Sequence, residues 1–145
     1  MSFLDGKQMD LFDNLSIHEG ADVEYKAARG GLPRDLWETY SAFANTQGGT
    51  IFLGITQQGE RLDVHGLDNA EKLVTDFWNT INNQGKISRN LLTNEHVNLL
   101  PLTDKQASVV CVEVPRANRR ERPVYVGSDP FKGTYRRNHE GDYLC

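Results

Sequence analysis

The chain has little cysteine. Its 145 residues include only Cys111 and Cys145, far apart and in no CxxC pair, so neither a disulfide framework nor a zinc ribbon is expected. Such sparse cysteine use suits a reducing cytoplasm, and cytoplasmic localisation is the expectation. No apolar run approaches the roughly 18 residues that would span a bilayer, so no membrane partner is expected. The opening "MSFLDGKQMDLFDNL" has neither a basic n-region nor an apolar h-region, and no secretory signal is expected there. No GxxxxGK[ST] occurs, which removes the basis for ATP use, and no GxSxG supports a hydrolase trio of Asp22, Ser41 and His65. The histidines, His18, His65, His96 and His139, lack ligand spacing. No metal and no cofactor are expected.

Negative charge predominates, with a formal net of -4. The average hides an asymmetry. Residues 1–24 carry Asp5, Asp10, Asp13, Glu19, Asp22 and Glu24 against Lys7, a net of -5. Residues 116–137 carry Arg116, Arg119, Arg120, Arg122, Lys132, Arg136 and Arg137 against Glu121 and Asp129, a net of +5. Polyanion binding follows local potential rather than the total, so the C-terminal third is the region of interest.

Residues 1–17 read as an acidic arm with a short helix around Asp10 to Leu15. "ADVEYKAA" alternates as a strand, and Pro33 after "RGGL" suits the first turn of a helix. From Arg34 to Thr46, Leu36, Trp37, Tyr40, Phe43 and Ala44 recur at helical spacing. "IFLGI" is continuously apolar, the pattern of a strand buried on both faces. A second helix is predicted from an Asp68 or Asn69 cap, through Leu73, Val74, Phe77, Trp78 and Ile81, to Gly85. "HVNLLPLT" and "ASVVCVEVP" form a hairpin around "DKQ", and "PVYV" and "GTYRR" are two further short strands. Cys111, between Val110 and Val112, reads as a small core residue. The fold class is α/β (α+β): a two-layer mixed sheet with two main helices packed on it.

Gly48-Gly49 follows a helix and precedes a strand, the reverse of a phosphate-cradling loop. The helix end it meets is a C-terminus, whose dipole repels phosphate. The pair therefore reads as a C-cap with one glycine in the left-handed region.

The ordered blocks "VEYKAA", "SAFANTQGGTIFLGI", "VHGL", "VEVPRANRRERPVYV" and "GTYRRNHE" resemble the Schlafen AlbA-type DNA-binding domain over about residues 15–140. The resemblance implies a two-layer α/β domain at residues 18–145, the N-terminal part of a longer transcriptional regulator, in some members labelled helicase-related. Helical and winged-helix regions would follow it, and the chain is expected to be an excised domain.

Arg116, Arg119, Arg120 and Arg122 crowd one stretch and must share a surface, and guanidinium forks suit phosphate oxygens. Strand alternation puts Tyr135 and Arg137 on one face and Arg136 on the other, so only part of "YRR" joins that patch. The candidate nucleic-acid-binding residues are Arg116, Arg119, Arg120, Arg122, Arg136, Arg137 and Lys26, with Arg29 and Arg34 as extensions. The partner is DNA, with RNA as an option. No recognition helix can be picked out, so base-specific readout is not expected. Tyr125, Phe131 and Tyr135 are read as sheet-edge packing residues able to stack on bases.

Two other readings stand beside this one. Some animal Schlafen proteins are described as cutting RNA with three carboxylates. By resemblance two would be Glu19 and Glu24, and the third falls where this chain has Thr56, Gln57 and Gln58, with Glu60 and Asp63 nearby. The non-enzymatic reading is preferred. The third reading is an interaction module, with a homodimer formed through an exposed strand edge or the acidic arm.

Overall fold

The computed structural model describes residues 22–145. The acidic arm and Glu19 lie outside them. The described chain forms strands β1 (Asp22–Lys26), β2 (Gly49–Leu53), β3 (Ile55–Gln58), β4 (Arg61–Val64), β5 (Val97–Pro101), β6 (Ser108–Val114), β7 (Tyr135–Asn138) and β8 (Gly141–Leu144). Helix α1 is Leu36–Asn45, α2 is Ala70–Ile81, and α3 is a single turn, Pro130–Gly133.

Four strands make one sheet in the order β1-β2-β6-β5. β1 runs parallel to β2, while β6 is antiparallel to both β2 and β5. The fold is therefore a mixed α/β arrangement, and the apolar periodicities explain it. On one face Ile51, Leu53, Val110, Val112 and Val114 meet Leu36, Tyr40 and Phe43 of α1 and Leu73, Phe77 and Ile81 of α2 in a single core. On the other, Phe52, Val109 and Cys111 meet Ile55 and Val64 of the β3–β4 hairpin. β2 is buried on both sides, as its unbroken apolar run predicts. Burial pushes the Cys111 thiol up to about 12, with Glu113 adding to it, so this cysteine is a core residue.

The glycine pair ends α1. Gly48 has φ +76 and its N–H bonds to the Phe43 carbonyl at 2.7 Å. Gly49 serves close packing instead, since a Cβ there would lie 2.7 Å from the Phe43 ring and 2.9 Å from the Asp22 carbonyl. One glycine turns the chain and the other lets helix and sheet touch.

Some elements differ from the sequence reading. Gly54 divides "IFLGI" into β2 and β3, and β4 returns beside β3. "PVYV" makes only two isolated bridges, Tyr125 to Thr134 and Ile87 to Val126, because Pro123 brings no N–H to a ladder. β8 pairs with β7 around a turn at His139 and Glu140 whose alternation is too brief to be read from sequence.

Candidate nucleic-acid interface

Leaving β6, the chain crosses the C-terminal end of α1 as the arginine-rich segment. The Ala117 N–H bonds to the Ala44 carbonyl at 2.8 Å. The Asn118 Oδ1 then accepts from the N–H groups of Arg120 and Glu121, each at 3.0 Å, and the Glu121 carboxylate accepts from the Asn118 N–H at 2.9 Å. Reciprocal bonds of this kind fix a tight turn. They also turn the one acid of "RANRRER" towards backbone and leave Arg119 and Arg120 exposed.

Two buried polar side chains of α1 hold the far end. Ser41 Oγ donates to the Val124 carbonyl at 2.7 Å and accepts from the Tyr135 N–H at 3.0 Å. The Asn45 amide donates to the carbonyls of Val124 (2.8 Å) and Tyr135 (3.0 Å) and accepts from the Val124 N–H (2.8 Å). Thr46 Oγ1 accepts from the Arg137 N–H at 3.0 Å. Ser41 and Asn45, four residues apart on one helix face, thus tie the arginine loop and strand β7 to a common anchor. Burial here is satisfied by full hydrogen bonding.

Between these tethered segments lies an open groove of about 390 Å³, lined by Asn45, Arg119, Arg122, Pro123, Thr134 and Arg136. Three guanidinium groups from two separate segments line one concavity. Among the described residues, none of the three has a carboxylate within ion-pair distance.

The Schlafen, AlbA_2 family profile matches residues 19–145 of this chain. The chain belongs to that family. The NMR structure of the N-terminal domain of a RecG-related protein from Nitrosomonas europaea is similar, with a TM-score of 0.62 and 26% identity. The similarity covers 94% of this chain and 91% of that one. No curated protein matches the chain.

The other predicted residues of this AlbA_2 domain lie elsewhere. Arg116 is exposed but does not line the groove, and neither does the exposed Arg120. Arg137, its side chain 13% exposed, packs 4.8 Å over the Phe43 ring. It donates to Glu24 Oε2 at 3.0 Å and Asp142 Oδ1 at 2.9 Å, with Asp22 at 3.6 Å. Burial alone would lower its pKa, but the hydrogen bonds with Glu24 and Asp142 outweigh that and hold it above its ordinary value. Lys26, 7% exposed in its side chain, pairs with Asp35 at 3.1 Å. Both cations are ion-paired within the fold: Arg137 meets acids of β1 and β8, and Lys26 meets Asp35 at the start of α1.

Glu24 is the partner of Arg137, which gives it a structural task apart from any catalytic one. Asp63 sits at 3.7 Å from Arg29, and His65 bonds Thr56 (3.1 Å) and its neighbouring Gly66 carbonyl (2.9 Å). Among the described residues no group of three His, Cys, Asp or Glu could hold a metal ion. Ser41 and His65 occupy separate networks, and Arg29 lines a different cleft with Gly30, Gly31 and Lys72.

Of the aromatics, Tyr135 donates to Glu38 Oε1 at 3.2 Å, and Tyr125 is half-buried at its bridge. Phe131 departs from the packing role expected of it, being 88% exposed. The sequence reading gave no anchoring role to Ser41, Asn45 or Thr46. The signal for Ser41 and Asn45 is a pair of small polar residues interrupting the apolar face of a helix.

Proposed function

We propose that this AlbA_2 domain binds nucleic acid through the groove of Arg119, Arg122 and Arg136, as a DNA-binding part of a transcriptional regulator. The carrying observation is that these three cations, from two segments clamped to one helix, border one concavity without carboxylate partners among the described residues. Phosphate recognition needs this: unneutralised guanidinium forks on an anchored backbone and an accessible surface. An otherwise anionic protein then approaches a polyanion by one face only.

The domain contacts backbone rather than reading base edges. Nine of the ten α1 residues are buried, and the outer face of α2 presents Glu71 and a Lys72–Asp76 ion pair. Neither helix suits a major groove. RNA fits the same phosphate chemistry. The RecG-related label of the Nitrosomonas europaea protein agrees with a nucleic-acid setting.

A salt-titrated binding assay tests the reading. Each duplex phosphate contact contributes about 0.9 to the slope of log affinity against log salt, so Arg119→Gln/Arg122→Gln/Arg136→Gln should flatten it by about 2.7. Lys72→Gln, away from the groove, should leave it unchanged. A folded triple variant with wild-type affinity and slope would refute the assignment.

A further inference from the structure

The segment between Val126 and Tyr135 contains an aromatic ring that the arginine groove does not account for. Phe131 is 88% exposed, the most exposed of the large hydrophobic side chains among the described residues. A solitary surface apolar residue needs no explanation, but this one stands on a fixed support beside a cationic groove.

The support is a short helical turn with every end tied. Its first turn is capped where Asp129 Oδ1 accepts from the Phe131 N–H at 2.9 Å, and the Lys132 N–H bonds to the Asp129 carbonyl at 3.1 Å. Thr134 Oγ1 donates to the Pro130 carbonyl at 2.6 Å, and the Val126 N–H to the Gly133 carbonyl at 2.8 Å. Gly133 packs so tightly that a side chain there would collide with the Val126 carbonyl. The ring is therefore displayed on rigid backbone. Lys132 beside it is exposed and has no acidic partner among the described residues.

The turn leads directly into the groove, because Thr134 both closes the turn and lines the arginine cavity. Three chain steps separate Phe131 from Thr134, and at 3.8 Å per step their Cα atoms are at most about 11 Å apart. One strand of nucleic acid with phosphates in the groove could therefore bring a neighbouring base to the ring.

We propose that Phe131 is a stacking platform for an unpaired base, making the preferred ligand of this surface a single strand rather than a duplex. The proposal rests on the phosphate role of Arg119, Arg122 and Arg136. A duplex hides its base faces in its own stack, whereas a single strand offers them, and every base has a π-face. A flat ring on a rigid turn, flanked by Lys132 and three arginines, matches that combination of charge and stacking. DNA and RNA strands share this chemistry.

The test measures fluorescence anisotropy of labelled oligo-dT, oligo-U and a mixed-sequence duplex with the intact 145-residue chain. Wild type should bind the single strands more tightly than the duplex, and the two strands rank DNA against RNA. At one to three kcal/mol per stacked base, Phe131→Ala should weaken single-strand binding by roughly 5- to 150-fold. Duplex affinity should change less than about two-fold, the single-strand salt slope should stay unchanged, and Phe131→Trp should restore affinity. Because the ring has little packing to lose, a thermal melt should show Phe131→Ala as stable as wild type. Equal losses on strand and duplex, or no loss on the strand, overturn the stacking proposal even if the arginine variant abolishes binding. Failure of the arginine variant to change binding, or no binding of wild type to any of the three probes, overturns the phosphate reading itself.

Discussion

The side-chain amide of Asn45 holds Val124 by both of its backbone groups, donating to the carbonyl and accepting from the N–H, each at 2.8 Å. A helix residue thereby stands in for a neighbouring strand. "PVYV" has little ladder of its own, and Asn45 supplies the pairing that fixes where Arg122 and Pro123 sit. The same amide reaches Tyr135, whose neighbour Arg136 supplies the other side of the groove.

Removing that amide should unmoor two segments at once. Asn45→Ala leaves the Val124 N–H and the Tyr135 carbonyl without the amide, while the Val124 carbonyl keeps Ser41 Oγ, and at 1–3 kcal/mol per buried group the loss is about 2 kcal/mol or more. Urea unfolding would register it as a lower midpoint. Nucleic-acid affinity should also fall at temperatures where the variant remains folded, since Arg122 and Arg136 depend on this anchor. An unaltered midpoint would mean that Asn45 does not hold the segment.

Arg136 and Arg137 are adjacent but should respond in opposite ways. Arg136→Gln should reduce nucleic-acid affinity with stability nearly unchanged. Arg137→Met should cost about 2 kcal/mol of stability, less than a fully buried ion pair because Glu24 and Asp22 are partly solvated. Arg137→Lys should not restore it, since a single ammonium cannot fork between Glu24 and Asp142. Thermal melts paired with salt-titrated binding separate the two roles. Loss of binding in Arg137→Met at full stability would reverse the assignment.

Alkaline pH should weaken the fold. Burial pushes the Tyr40 hydroxyl from its ordinary 10.0 up to about 12, Glu121 adding to the rise while the Leu91 N–H and Arg89 oppose it. Cys111 rises from 9.0 to about 12 in the same way. Both groups keep their protons longer in the folded chain than in the unfolded one. Their stabilisation is complete below pH 9, declines as the unfolded chain ionises, and is lost as pH rises through about 12. Denaturation midpoints should be level from pH 7 to pH 9 in this respect and fall above it. Tyr40→Phe, which also gives up hydrogen bonds to Arg89 (2.8 Å) and Leu91 (3.0 Å), should start lower and decline less steeply. An equally steep decline in that variant would exclude Tyr40 as a source.

The local features of this protein were legible in its residues because their causes are local. Leu36, Tyr40 and Phe43 mark a helical face by spacing, "IFL" marks a doubly buried strand by lacking polar interruption, and Gly48 marks the helix end because left-handed backbone favours glycine. Alternation likewise placed Arg136 and Arg137 on opposite faces of their strand.

What alternation cannot say is what each face meets. Only the packed chain sets Glu24, Asp142 and the Phe43 ring around Arg137, brings Asp35 to Lys26, and gathers Arg119, Arg122 and Arg136 around one groove. Only the packed chain, too, leaves Phe131 outside the core. A residue's spacing fixes the direction of its side chain within an element. Whether that direction ends in an acid, an arene or water depends on elements far away in sequence, and so on the tertiary structure.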